Sequence, residues 1–131
     1  MKYLKKYHMF ENIITNLNYS NQNLTELPEL PDTLRYLYCA NNKLTELPEL
    51  PESLIYLDCS DNKLMELPEL PDSLDVLYCH NNKLTSLPEL PKSLTELYCS
   101  GNNLPYNNLE GYKEWYAKKY PDRVEAKKYN L

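Results

Sequence analysis

The sequence predicts a solenoid of α/β type, with a short parallel β-sheet on a concave face, an extended polyproline-like convex side, and helical caps. Three observations carry this. One phrase recurs every twenty residues, each copy holds a short apolar and polar alternation, and the prolines recur at fixed places in the copies.

Leu34, Leu54, Leu74 and Leu94 each begin the frame L-x-x-L-x-C-x-x-N-x-L. The next nine residues read x-x-L-P-x-L-P-x-S/T, except after Leu104. Stepping back twenty residues finds a degenerate first copy from Ile14 to Leu24. In the second copy, Leu37 and Cys39 alternate with Tyr36 and Tyr38, as a short strand with one apolar face requires. Such a strand is unstable alone. Stacked copies about 4.8 Å apart form a parallel sheet, and Leu at frame positions 1, 4, 11, 14 and 17, with Cys at 6, fill one continuous core.

Asn42, Asn62, Asn82 and Asn102 fall where the chain turns away from the sheet. A side-chain amide there can bond backbone groups of its own and the adjacent turn. The Leu-Pro-Glu-Leu-Pro segment returns on the outside. Proline fixes φ and restrains the residue before it, so this stretch is expected to be extended and not helical.

This pattern resembles the leucine-rich repeat family. The resemblance covers residues 14–104, about seventy per cent of the chain. The twenty-residue period with L-P-x-L-P is similar to the short repeats of bacterial secreted effectors, and the L-Y-C-x-N-N-K-L phrase to those of giant-virus repeat proteins. Some effectors with this repeat carry a ubiquitin-ligase domain with a catalytic cysteine after the repeats. The residues after Leu104 contain no cysteine, so that activity is not carried over.

The expected organisation is an N-terminal cap over 1–13, five repeats over 14–104, and a helical cap and tail over 105–131. Leu4, Tyr7, Met9, Phe10, Ile13 and Ile14 have roughly helical spacing and suit a cap on the first repeat. At the other end Asn107 or Asn108 can cap a helix. Leu109, Tyr112, Tyr116 and Trp115 or Tyr120 form its apolar stripe, Lys118 and Lys119 favour its C-terminus, and Pro121 stops it.

The formal charge of −5 is unevenly placed. Residues 14–104 hold 5 basic and 14 acidic side chains, whereas each flank is slightly basic. An acidic body argues against nucleic acid, which needs clustered Lys and Arg. No apolar run approaches a membrane span, and the basic opening has no apolar stretch behind it, so neither a span nor a secretory signal is expected. Without such a signal, the sequences Asn18-Tyr19-Ser20 and Asn23-Leu24-Thr25 carry little weight as glycosylation sites.

The outward frame positions 2, 3, 5 and 7 are expected to line the concave face. They vary between copies more than the leucine frame does, as a free surface between folding constraints would. They place Tyr36, Tyr38, Tyr56, Tyr78 and Tyr98 together, with Arg35, Asp58, Asp75 and His80. Tyrosine supplies large contact area at low entropy cost, and the charged residues can fix orientation. The competing reading is that stacked tyrosines only stabilise the strands.

Cys39, Cys59, Cys79 and Cys99 recur at an inward position. Inward thiols in a line suit neither tetrahedral zinc nor disulfide geometry, so buried free thiols in an intracellular, reducing compartment are expected. If the chain is viral, that compartment is the host cytoplasm or a virus particle. Glu29, Glu49, Glu69 and Glu89 form one acidic row on the outside, read as a solvated face. His8 and His80 are isolated, and no catalytic set or phosphate loop is visible.

The expectation is a non-catalytic module without metal or cofactor, binding a protein or peptide on its tyrosine-rich face. The alternative is a structural subunit of a larger assembly, such as a virus particle, joined through its chain ends.

Overall fold

The computed structural model describes residues 13–123. Five strands, β1 (Asn16–Asn18), β2 (Tyr36–Tyr38), β3 (Tyr56–Asp58), β4 (Val76–Tyr78) and β5 (Glu96–Tyr98), form one sheet in chain order. Every pair is parallel and offset by twenty residues, so Leu17, Leu37, Leu57, Leu77 and Leu97 stand in one line. The chain is a solenoid of four full turns ending in a helix, α1 (Leu109–Lys119).

Each strand has only three residues, because only frame positions 3 to 5 alternate cleanly between core and surface. The return from position 12 to position 18 forms neither helix nor strand. Its prolines lack the N–H that either ladder would need, while its leucines turn inward. Leu47, Leu50, Leu67 and Leu70 join the core beneath Leu37, Leu57 and Leu77. In the central copies the leucines at positions 1, 4 and 11 are fully buried.

Two side-chain ladders run along the stack. The Asn62 amide donates to the carbonyls of Cys39, Cys59 and Ser60 at 3.0–3.1 Å and accepts from the Leu44 N–H at 3.0 Å. It therefore ties its own turn to the preceding one. Asn42, Asn82 and Asn102 repeat the pattern. On the opposite side Ser53, Ser73 and Ser93 donate to carbonyls of the previous turn, such as Leu34, Leu54 and Leu74 at 2.6 Å. These bonds satisfy backbone groups where no strand ladder can reach.

A third regularity is conformational. Asn21, Asn41, Asp61, Asn81 and Gly101, all at frame position 8, have φ between 54° and 69°. This left-handed turn lifts the chain off the sheet. Only Gly, Asn and Asp adopt it readily, which explains the residue types found there.

The C-terminal end is closed. Residues 107 and 108 run antiparallel beside β5, with the Cys99 N–H donating to the Asn107 carbonyl at 3.0 Å. They thereby occupy an edge that would otherwise expose unpaired backbone. Asn108 then caps α1, accepting from the Gly111 N–H at 2.9 Å. Tyr106 and Tyr112 are buried against the last turn with Trp115 and Tyr116 packed beside them, and the helix ends before Pro121, as expected. The expected N-terminal cap lies outside the described residues except for Ile13, which is exposed, as is Ile14. The tail beyond Arg123 also lies outside them.

Candidate functional site

Tertiary stacking turns single outward residues into a connected aromatic ladder. Tyr56 on β3 is its hub. Its ring centroid lies 5.1 Å from Tyr38, 5.5 Å from Tyr78 and 6.4 Å from Tyr36. Tyr78 continues the ladder to Tyr98 at 5.0 Å and to His80 at 6.4 Å. The edge-on and tilted geometries are those that aromatic quadrupoles prefer. Tyr36 and Tyr98, at the two ends, are exposed, while Tyr38, Tyr56 and Tyr78 are half-buried by their neighbours.

Packing also changes the phenols. Burial, followed by the charges of Tyr78 and Asp58 nearby, pushes the Tyr56 hydroxyl up to about 12. Burial and the Glu96 carboxylate raise Tyr78. Both hydroxyls stay neutral near neutral pH, and that of Tyr78 donates its hydrogen bond to Glu96.

Of the charged members, Asp58 lies beside Tyr56. Asp58 accepts from the Ser60 hydroxyl at 2.7 Å and the Ser60 N–H at 3.1 Å. Asp75, just before β4, accepts from the Thr95 hydroxyl at 2.5 Å. Arg35 is exposed just before β2. His80 is half-buried at the rim, with Nε2 at 4.0 Å from Asp61 and with a buried Nδ1 that has no partner among the described residues. The five tyrosines thus share one side of the sheet, with His80 beside Tyr78 and Asp58 beside Tyr56, while Arg35 and Asp75 lie one residue before β2 and β4.

Position 7 differs from the expectation in the second and third copies. Ala40 and Ser60 there are buried, because the chain has begun its left-handed turn and draws them under it, while Ser20, His80 and Ser100 keep exposure. Glu96 belongs to the site and was less prominent in the sequence. It accepts from the Tyr78 hydroxyl at 3.1 Å. Its position 3 beside a tyrosine at position 5 of the preceding copy is the signal that finds it.

The four cysteines are buried and free. Burial is the main cause that pushes the Cys39 thiol up to about 12, the Cys99 thiol up to about 11, and Cys59 and Cys79 well above the ordinary thiol range. They behave as small core hydrophobes. Among the described residues no group of three or more His, Cys, Asp or Glu is placed to hold a metal ion, and no helix is long and apolar enough to cross a membrane. A second concavity of about 540 Å³ lies between the last return and α1, walled by Leu87, Pro88, Tyr106, Trp115, Tyr116 and Tyr120.

Known proteins share this architecture. The family model "Leucine Rich repeats (2 copies)" matches residues 52–92 and 72–114, and "Leucine Rich Repeat" matches residues 33–54. The structure is similar to YopM from Yersinia enterocolitica WA-314, with a TM-score of 0.63 and 46% identity over 64% of this chain and 19% of YopM. It is also similar to a Shigella effector leucine-rich-repeat domain, with a TM-score of 0.68 and 41% identity over 74% of this chain and 44% of that domain. The chain thus spans less than half the length of either protein. No curated protein matches significantly. The register, the core and these likenesses agree that the chain belongs to the leucine-rich repeat family.

Proposed function

We propose that this chain is a non-catalytic protein-interaction module that takes a protein or peptide on the tyrosine-bearing face of its sheet. The observation that carries the reading is the ladder centred on Tyr56. It is a semi-rigid aromatic surface held by a stacked backbone, so little side-chain entropy remains to be lost on binding. Arg35, Asp58, Asp75 and His80 would orient the partner around Tyr36, Tyr38, Tyr56, Tyr78 and Tyr98. Leucine-rich repeats generally serve as interaction scaffolds, and one similar solved structure is an effector domain, which supports recognition over chemistry. In this reading residues 14–104 form the binding body and the flanking segments are caps. The four buried free thiols favour a reducing compartment.

The test is capture of partners from the native source under reducing conditions, by wild type and by the Tyr56→Ala/Tyr78→Ala variant. A partner retained by wild type and lost by a folded variant is the expected result. An unchanged partner set with a folded variant refutes the assignment to this face.

A further inference from the structure

The tyrosine face also has a definite charge. Asp58 stands beside Tyr56 and Glu96 beside Tyr78, Asp75 lies just before β4, and each carboxylate is held by a neighbouring hydroxyl on one oxygen. Among the described residues, none of the three pairs with Lys or Arg, and the second oxygen of each accepts no hydrogen bond from the protein. The side chains are therefore oriented yet half-satisfied. The Lys43, Lys63 and Lys83 row is exposed at the turns, two residues after the left-handed position. Arg35 stands at the β2 end of the face.

The levels of these residues in the sheet give their spacing. Asp75 and Glu96 lie on adjacent turns and differ by one residue in level, which places their Cα atoms roughly 6 Å apart. The Asp58 Cα lies roughly 11 Å from both, from the strand spacing and rise. That distance is about three residues of extended chain. Between the two anionic spots lie Tyr56 and Tyr78, whose ring faces suit the stems and heads of long cationic side chains. An anionic partner would have to approach three carboxylates on a body that is itself acidic.

We infer that the occupant of this face is an extended basic segment of a partner protein, with cationic side chains about three residues apart. One cation pairs with Asp58 and the next with Asp75 and Glu96, while their stems lie across Tyr56 and Tyr78. This deepens the proposed function and rests on the sheet face being the binding surface.

The test uses a fluorescent peptide of roughly twelve residues built from Arg-Pro-Pro repeats, which hold arginines about 9 Å apart in an extended chain. Its anisotropy is read with the full chain at about 150 mM salt, where long-range attraction is screened. The Asp58→Asn/Asp75→Asn/Glu96→Gln variant keeps the side-chain shapes. It should weaken binding by about tenfold or more. The Glu49→Gln/Glu69→Gln/Glu89→Gln variant removes the same charge from the exposed outer row and should change binding by less than about twofold.

Absence of binding to wild type, or equal weakening by both variants, overturns the inference. A matching Gln-Pro-Pro peptide separates the two readings. If it binds as tightly as the basic one and needs Tyr56 and Tyr78, the face binds peptides but not for their charge. If neither Arg-Pro-Pro binding nor native partner capture depends on Tyr56 and Tyr78, the face itself fails.

Discussion

Replacing Asn62 with alanine tests how consecutive turns are joined. The amide serves four backbone groups, and their alternatives differ. The Cys39 carbonyl keeps Asn42, the Cys59 carbonyl keeps Asn82, and the Ser60 carbonyl keeps the Asn41 N–H. The Leu44 N–H has no second acceptor among the described residues and becomes a buried orphan. An orphaned donor costs about 1–3 kcal/mol, and each weakened carbonyl about 0.5 kcal/mol. The expected loss is about 2.5–4.5 kcal/mol, a large share of the ~5–15 kcal/mol typical of a domain.

Asn102 makes the corresponding bonds at the half-exposed last turn, where water can replace them. Asn102→Ala should lose only about 1–2 kcal/mol. Urea unfolding followed by circular dichroism, with the fluorescence of the single Trp115 reporting the cap, measures both. Coincident transitions are needed for a single free energy. Equal losses, or less than about 1 kcal/mol at Asn62, would refute the reasoning.

The Asn62→Asp variant adds a sign. Its carboxyl would face three carbonyl oxygens, which disfavour the ionised form and raise its pKa in the folded state. The unfolded chain then loses its proton first as pH rises, so this variant should be more stable near pH 4 than near pH 8.

The remaining expectations concern the thiols and the left-handed turns. In the native protein no cysteine should react with a disulfide reagent near pH 8, and all four should react in denaturant. Rapid native reaction at Cys59 would contradict its burial. Cys39, Cys59, Cys79, Cys99 and Tyr56 all have folded pKa values above their ordinary ones, so they ionise first in the unfolded chain. Stability should therefore be intact below pH 9 and fall as pH rises towards 12, read as a declining urea midpoint. Gly101→Ala should destabilise by about 1–2 kcal/mol. Gly101 has φ +69°, and a Cβ would lie 2.1 Å from Asn81 Oδ1, displacing a side chain that bonds Asp61. An unchanged melting temperature would count against strain at this turn.

Much of the fold was legible because stacking makes one copy speak for its neighbours. In Leu34-Arg35-Tyr36-Leu37-Tyr38-Cys39, alternation alone separates the inward Leu37 and Cys39 from the outward tyrosines. The cap was legible for a similar reason. Asn108 and Pro121 act on the backbone within one helical turn, so their meaning is local. Position 7 was misread at Ala40 and Ser60 because simple alternation continues past the point where the strand ends.

The sequence by itself determined the period, the core residues, the inward thiols and the helical C-terminal cap. Each follows from spacing within twenty residues and from the burial of apolar side chains. Only the tertiary structure decided what crosses from one turn to the next. It assigned the Asn62 amide to the Leu44 N–H and the Ser53 hydroxyl to the Leu34 carbonyl. It placed Asn107 along the edge of β5 and made Tyr56 the hub of the aromatic face. These contacts depend on which atoms lie opposite at a strand spacing of about 4.8 Å. A one-residue slip would exchange every inward side chain for an outward one, so the face exists only in the register that the leucine core selects.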